Sequence, residues 1–155
     1  MTITVELSDS EVAVCRVIGN MRTIVARANS VGDQKIGPQS GVNVDEDGVI
    51  AEYAFCKHWN IHMDLTVKPR AGSYDCLLKN KRIDIKSTRI KTGHLAVKLA
   101  KNEDVDIFVL AIIDGNKVIF PGYAASADVY REDNIKSLGH GNGHCLTQDQ
   151  LRKWK

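Results

Sequence analysis

The sequence lacks the signals that direct a protein into or across a membrane. No apolar run approaches the ~18 residues that a transmembrane helix needs. Residues 1–7 are short and acidic, unlike a basic and apolar signal peptide. The four cysteines are widely scattered and form no Cys-x-x-Cys pair, which favours reduced, partly buried thiols. These absences together predict a cytoplasmic protein with no membrane partner.

The motifs of several common enzyme classes are missing as well. The Gly-rich stretch 139–145 follows no predicted strand and contains no lysine, so it is not a phosphate-binding loop, and we interpret it as a mobile loop. No nucleophile elbow occurs in the chain. His58 and His62 have i, i+4 spacing, but no third zinc ligand is evident. The chemistry therefore has to be sought among the acidic and basic residues.

Charge is distributed unevenly along the chain, whose 155 residues fit one domain. The net charge is only +2, but residues 79–101 contain eight Lys or Arg and one acid, a local charge of +7. A basic segment beside a pair of acidic residues is typical of a protein that handles a polyanion with a metal ion. A solvated basic loop is the alternative interpretation.

The stretch from Asp75 to Lys86 has the pattern of a β-hairpin. Asn80 tolerates the positive φ of a tight turn, and a turn centred on Asn80–Lys81 places Asp75 opposite Lys86. Because side chains alternate along a strand, Asp75, Asp84 and Lys86 share one face, close enough for the two carboxylates to bind one cation. An exposed cross-strand ion pair is the alternative. The opposite face is apolar and consists of Cys76, Leu78, Ile83 and Ile85.

The first helix is predicted over residues 9–28, where Ser8 and Glu11 form a capping box. Its spacing indicates a packing helix with one apolar face. The residues of that face are Val14, Val17, Ile18, Met21, Ile24, Val25 and Ala28.

The second helix is predicted over residues 48–59, after a loop at 29–47. Glu52 interrupts its apolar stripe, where a carboxylate is costly unless it is paired, metal-bound or protonated. We expect Glu52 to face the hairpin carboxylates. The remaining predicted strands are 61–67, 106–113 (central) and 117–123 (ending or at an edge near Pro121), followed by a short helix from Ser126 and a final helix at 147–153. Residues 2–7 are a strand or a lead-in, and residues 94–100 are a helical turn or another strand.

The acidic and basic residues together resemble the PD-(D/E)XK nuclease superfamily. Its members carry a Glu on a core helix, an Asp on one strand and an (Asp/Glu)-x-Lys motif on the next, followed by a buried strand. The resemblance covers residues 46–125, although no proline precedes the strand Asp and the segment after the motif is not clearly helical. The matching residues are Glu52, Asp75, Asp84, Ile85 and Lys86.

The resemblance implies an α/β fold with a restriction-endonuclease-like core, a mixed and mostly antiparallel sheet of about five strands flanked by helices. The chain would be a single domain, with an N-terminal packing helix in residues 1–36, the nuclease core in 46–125 and a C-terminal extension in 126–155.

The resemblance also implies a site that binds Mg²⁺ or Mn²⁺. Asp75 and Asp84 would be direct ligands, with the Ile85 carbonyl as a third. Glu52 would be a ligand or hold a metal-bound water, and Lys86 would position or help to deprotonate the attacking water. The residues expected to contact phosphates are Lys79, Lys81, Arg82, Ser87, Thr88, Arg89 and Lys91.

The function implied by this resemblance is metal-dependent hydrolysis of DNA phosphodiester bonds. A catalytically inactive nucleic-acid-binding module on the same fold, a structure-specific junction resolvase and an interaction protein with a regulatory ion stay open as alternatives. The pattern does not distinguish DNA from RNA or an exonuclease from an endonuclease. Small nucleases of this superfamily often act as dimers, so a homodimer is a further expectation.

Overall fold

The computed structural model describes residues 1–29, 41–67 and 74–155, with side chains from Asn43 onward in the second range. Three α-helices and eight β-strands lie in these ranges. In chain order they are β1 (Ile3–Glu6), α1 (Asp9–Ala28), α2 (Gly41–Trp59), β2 (Cys76–Leu78), β3 (Lys81–Thr88), β4 (Leu95–Lys98), β5 (Ile107–Asp114), β6 (Lys117–Ala125), α3 (Ser126–Val129), β7 (Ile135–Ser137) and β8 (Asn142–Leu146).

Five strands form a mixed sheet in the order β1-β6-β5-β3-β2. Of the four neighbouring pairs, β3 and β5 are parallel and the other three are antiparallel. The predicted α/β class, with a mixed and mostly antiparallel sheet of about five strands, is therefore confirmed. A second, antiparallel sheet of three strands has the order β4-β8-β7 and was not predicted.

The five-stranded sheet has an apolar core on each face. The buried residues of α1 and α2 pack in the first core, and those of β4, β8 and α3 pack in the second. β5 contributes to both cores because it lies between β3 and β6 with its side chains alternating, which is the arrangement predicted for the apolar run at 106–113. Its first-core residues are Val109, Ala111 and Ile113, and its second-core residues are Phe108, Leu110 and Ile112.

α1 begins as predicted but packs through a different face. The Ser8 hydroxyl accepts a hydrogen bond from the Glu11 amide at 3.1 Å, and the Glu11 carboxylate accepts one from the Ser8 amide at 2.8 Å. The predicted packing face was wrong, because most of its large residues are exposed. The residues that α1 buries are Val12, Cys15, Gly19 and Thr23.

Gly19 explains the choice of face. A Cβ atom on Gly19 would lie 2.6 Å from the Cα of Glu46, so the backbones of α1 and α2 touch at this point. The Thr23 hydroxyl beside it donates to the Asp45 carboxylate. Close approach of the two backbones and a polar contact therefore determine which face of α1 packs against α2. The spacing of the apolar residues had predicted the opposite face.

α2 begins at Gly41, seven residues before the predicted start, so residues 41–47 of the predicted loop are helical. Residues 30–40 of that loop lie outside the described residues. The predicted strand at 61–67 does not form. In this segment the carbonyls of Asp64 and Thr66 accept hydrogen bonds from the Arg22 side chain.

β6 is an internal strand, although Pro121 predicted an edge or an end. β1 pairs with β6 only as far as Phe120, so the missing N–H of Pro121 costs no ladder hydrogen bond to β1. Pro121 therefore lies just beyond the pairing of β6 with β1, but β6 as a whole is not an edge strand.

The C-terminal region is less helical than predicted. Thr147 caps a 3₁₀ turn at Gln148–Gln150 where a helix over 147–153 was expected, whereas the short helix from Ser126 is confirmed as α3. The loop predicted at 139–145 was wrong in its second half, because β8 contains His144 and Cys145 and buries both. Among the described residues no helix is long and apolar enough to cross a membrane.

Candidate functional site

The β2–β3 hairpin closes through a two-residue turn at Lys79 and Asn80. Their φ angles of 49° and 61° define a type I′ turn, the form whose twist suits a hairpin. The predicted turn was centred one residue later, on Asn80–Lys81. Leu78 therefore pairs with Lys81, and every pair in the hairpin differs by two residues from the predicted register.

The carboxyl groups of the two hairpin aspartates lie within hydrogen-bonding distance of each other. The paired residues of the hairpin end at Cys76 and Ile83, and the amide of Asp75, one residue before β2, donates to the Ile83 carbonyl as well. Asp75 therefore does not lie opposite Lys86, as the predicted register had it. Both aspartates are buried, and each is 7% exposed.

Asp75 lies at the edge of β3, one residue before β2 begins. Its carboxylate accepts a hydrogen bond from the Ile85 amide at 2.7 Å, and its own amide donates to the Ile83 carbonyl at 2.8 Å. The N–H and C=O of one strand residue point to the same edge, so the Ile85 carbonyl also faces the side on which Asp75 lies. The backbone group predicted as a third metal ligand is therefore beside the aspartate.

Asp84 lies between Asp75 and Lys86. Its Oδ2 is 2.7 Å from the Lys86 ammonium, and its carboxyl group is also within hydrogen-bonding distance of Asp75. Burial raises the pKa of Asp84 to about 6; the Asp75 charge adds to this effect and the Lys86 charge opposes it. Burial disfavours the charged form of Lys86, but Asp84 and Asp75 together raise its pKa. Two carboxyl groups, those of Asp75 and Asp84, therefore lie beside one ammonium, that of Lys86.

Glu52 approaches the hairpin from the opposite face of the sheet. Asp84 and Lys86 are in register with Phe108 and Leu110 of β5, which belong to the core on the face away from α2. α2 packs in the core on the other face. The structure therefore places together the three hairpin residues of the predicted constellation and places Glu52 on the α2 side.

Asp75 and Glu52 nevertheless have a common neighbour, the buried thiol of Cys76. The pKa of this thiol is raised by its hydrogen bond with Cys56, by burial and then by the charges of Asp75 and Glu52. The two carboxylates therefore lie close to one cysteine between α2 and β2. All four cysteines are free, as predicted, and all four are buried, where partial burial was expected.

Arg22 of α1 pairs with Glu52 and was not predicted from the sequence. Its Nη1 is 3.1 Å from Glu52 Oε2, and its other nitrogens donate to the carbonyls of Asp64 at 2.7 Å and Thr66 at 3.1 Å. The guanidinium therefore joins α1, α2 and the segment after α2. The signal that could have found Arg22 is its position three residues after Gly19, at the edge of the face that α1 buries.

A divalent cation fits the donor set of the hairpin. Mg²⁺ is commonly held by one or two carboxylates and keeps several waters. Asp75 and Asp84 provide two crowded carboxylates, and the Ile85 carbonyl faces the same edge. In the ranges that the structure describes, however, no group of three or more His, Cys, Asp or Glu side chains is arranged to hold a metal ion. A cation here would therefore depend on backbone and water ligands besides the two aspartates.

A pocket of about 400 Å³ lies beside Asp75. His62 and Asp64, from the segment whose carbonyls bind Arg22, contribute to its lining, whereas Asp84 and Lys86 do not. Its described lining residues are His62, Asp64, Tyr74, Asp75, Cys76 and Leu77.

The predicted phosphate contacts fall into two groups at opposite ends of β3, roughly 23 Å apart along the strand. Lys79, Lys81 and Arg82 lie at the hairpin tip, where the first two are exposed. The second group follows Lys86 at the other end of β3. It consists of Ser87, Thr88, whose hydroxyl accepts a hydrogen bond from the Ile90 amide, Arg89 and Lys91.

Salt bridges engage at least five of the eight basic residues in the segment 79–101. Arg82 forms two side-chain hydrogen bonds to Asp106, and these hold the pKa of Asp106 well below its usual range. Most of the acidic partners come from outside the segment, so the local charge is much lower than the sequence indicates. The pairs are Arg82 with Asp106, Lys86 with Asp84, Arg89 with Asp47, Lys91 with Asp114 and Lys101 with Glu103.

The fold and this site define an α/β protein with two buried aspartates beside a half-buried lysine near the edge of a mixed sheet. Comparison of the chain with protein-family models, with curated proteins and with solved structures gave no match.

Proposed function

We propose that this protein is a metal-dependent nuclease that hydrolyses DNA phosphodiester bonds at the β2–β3 hairpin. The observation that carries the proposal is the buried pair of Asp75 and Asp84, whose two carboxyl groups lie beside a single ammonium, that of the 38% exposed Lys86. Burying two carboxylates together costs stability unless a cation or a proton relieves the repulsion. A metal site is the simplest reason for this arrangement to exist.

Each residue of the cluster has a role in this proposal. A bound Mg²⁺ or Mn²⁺ supplies an activated water near neutral pH and stabilises charge on the phosphorus oxygens. Asp75, Asp84 and the Ile85 carbonyl would hold the ion. Lys86, which Asp84 orients, would position the attacking water and offset charge on the phosphate. Glu52 is paired with Arg22, so it would hold a metal-bound water only after releasing this ion pair.

Replacing Asp84 by Asn tests the proposal directly. The variant keeps the shape of the side chain but loses the charge, so we expect cleavage to fall by at least about 1,000-fold with Mg²⁺ or Mn²⁺. Asp104→Asn is the matched control, because the Asp104 side chain is 59% exposed and is only 3.8 Å from its nearest partner, Arg82. The substrates should be linear, nicked, branched and circular DNA, which also separates a general nuclease from a junction resolvase.

Lys86→Ala should behave differently from Asp84→Asn. It removes no metal ligand, so calorimetric titration should still show binding of the divalent ion while cleavage is lost. Cleavage by the Asp84→Asn variant at the rate of the parent would contradict the catalytic assignment.

A catalytically inactive nucleic-acid-binding module is the second candidate. The Glu52–Arg22 pair and the division of the constellation between two faces of the sheet favour it. This candidate predicts DNA binding without cleavage under any metal condition. Binding should weaken with salt by about one unit of log-log slope per phosphate contact, and reversing the charges of Lys79 and Lys81 at the hairpin tip should reduce that slope. Affinity that does not change with salt would contradict both candidates.

A further inference from the structure

Two buried thiols contact each other where α2 packs against the edge strand β2. Cys56 of α2 is 3% exposed and Cys76 of β2 is 5% exposed, and their thiols are hydrogen-bonded to each other. The Cys56 thiol also donates a hydrogen bond to the His62 carbonyl at 3.9 Å. Both residues are free cysteines, so α2 and β2 are joined here by a dithiol contact and not by a covalent bond.

The other two cysteines are buried as well but form no such pair. Cys15 belongs to α1, where burial raises the pKa of its thiol to about 11. Cys145 belongs to β8 of the second sheet, where burial raises the pKa of its thiol. All four cysteines lie in the described ranges, and within these ranges only Cys56 and Cys76 are hydrogen-bonded thiol to thiol.

The backbones at this contact are close enough for a disulfide after a small movement. A disulfide has its sulfur atoms about 2.05 Å apart and its Cα atoms about 4.4–6.8 Å apart. Parts of α2 and β2 already lie within 8 Å of each other, measured between Cα atoms. β2 is a three-residue strand at the end of the sheet order and pairs with β3 alone, whereas α2 is packed in the first core, so β2 is the element that moves.

A small oxidant has space beside the pair. Cys76 and His62 both line the pocket of about 400 Å³ next to Asp75, and the Cys56 thiol is bonded to the carbonyl of the same His62. Hydrogen peroxide is little larger than water and fits in that volume. An oxidant of this size therefore reaches the two sulfur atoms without unfolding of α2.

Closing the bond would also move Asp75. This residue directly precedes Cys76, its carboxylate accepts a hydrogen bond from the Ile85 amide at 2.7 Å, and its amide donates to the Ile83 carbonyl at 2.8 Å. A sulfur–sulfur bond is much shorter than a hydrogen bond between two thiols, so Cys76 is drawn towards α2. The contact between Asp75 and Ile85 is the nearest one that this movement strains.

We propose that Cys56 and Cys76 are a redox-sensitive pair that hydrogen peroxide converts into a disulfide between α2 and β2, displacing Asp75 from the Ile85 amide. Peroxide first transfers one oxygen atom to one of the sulfur atoms, which gives a sulfenic acid and one water. The other thiol then attacks this sulfur; the S–S bond forms, the S–O bond breaks, and the leaving hydroxide takes the thiol proton as a second water. Two thiols thus lose two electrons in total and one peroxide is reduced to two waters.

Thiol counting and peptide mapping test the pair. Peroxide treatment of the parent should lower the number of free thiols from four to two and the mass by two hydrogen atoms, and dithiothreitol should reverse both changes. A digest should contain Cys56 and Cys76 in one cross-linked peptide. Cys76→Ala should form no disulfide, whereas Cys15→Ala, the matched loss of a buried thiol, should form it like the parent.

The parent alone decides the outcome if either variant is unfolded by circular dichroism. A folded parent that keeps four free thiols, or whose disulfide joins other cysteines or two chains, would overturn the proposal.

The effect on the hairpin is tested by nuclear magnetic resonance of the amide protons. The Ile85 resonance should shift when the parent is oxidised and should return with dithiothreitol, and the same treatment of Cys76→Ala should leave it in place. A completely formed disulfide with an unchanged Ile85 resonance would contradict the displacement of Asp75. Both experiments use metal-free protein without DNA, so their results do not depend on the nuclease function proposed above.

Discussion

Replacing Asp84 by Asn should stabilise the metal-free protein at neutral pH and lose this advantage in acid. The pKa of Asp84 is raised from an ordinary value of 3.8 to about 6, first by burial and then by Asp75. The folded protein therefore holds this proton more tightly than the unfolded chain does. The resulting stabilisation is complete below the unfolded pKa of about 4 and is lost as the pH rises through the folded pKa of about 6.

The magnitude follows from the size of the pKa change. Going from 3.8 to about 6 corresponds to about 3 kcal/mol of differential interaction between the two protonation states. Asp84 is 7% exposed, so solvent screens little of this free energy. Asn resembles the protonated aspartic acid and does not titrate. The stability of the variant relative to the parent should therefore increase by up to about 3 kcal/mol between about pH 4 and pH 7.5.

Urea denaturation in the presence of EDTA measures this difference. The free energies of unfolding of the parent and of Asp84→Asn are compared at several pH values, with Asp104→Asn as the exposed control that should show no such trend. Adding Mg²⁺ at neutral pH should stabilise the parent more than the variant, because only the parent keeps both carboxylates. A stability difference that does not change with pH would refute the crowding of Asp84 and remove the main support for a cation site.

Two further predictions concern the packing around the site. Gly19→Ala should destabilise the protein by about 1–2 kcal/mol, because the new Cβ would lie 2.6 Å from the α2 backbone, whereas Gly48→Ala has nothing within 4 Å and should be neutral or stabilising by up to about 1 kcal/mol. Thermal unfolding of the two variants measures this difference, and equal shifts in melting temperature would contradict the close contact between α1 and α2. Arg89→Ala should cost about 2–3 kcal/mol because it leaves the Asp47 carboxylate, 2% exposed, without its guanidinium, whereas Lys91→Ala breaks an exposed pair and should cost less than about 0.5 kcal/mol. Similar costs for the two variants would indicate that Arg89 is not structural.

The hairpin shows how local patterns predict a site even when details are wrong. The turn was placed one residue late, and this shifted the register by two. A shift of two leaves every side chain on the same face of a strand. Asp84 and Lys86 therefore stay on one face of β3, whereas the Asp75 carboxylate reaches Asp84 from the edge of β3, where it accepts a hydrogen bond from the Ile85 amide.

Glu52 shows where local patterns stop. Its position on an apolar helical stripe correctly indicated a buried carboxylate in need of a partner. The partner expected was a cation at the hairpin, but the structure pairs Glu52 with Arg22, a residue 30 positions earlier on α1. The basic run at 79–101 was misjudged for the same reason, since most of its acidic partners lie elsewhere in the chain.

The sequence by itself determined the elements whose causes are local. These are the α1 capping box, the hairpin, the buried β5 strand and the alternation that places Asp84 and Lys86 on one face of β3, because each depends on neighbouring residues and a fixed periodicity. Only the tertiary structure decided which face of α1 is buried and which charges are neutralised. Those outcomes depend on backbone approach at Gly19 and on ion pairs between distant segments, which no local periodicity records.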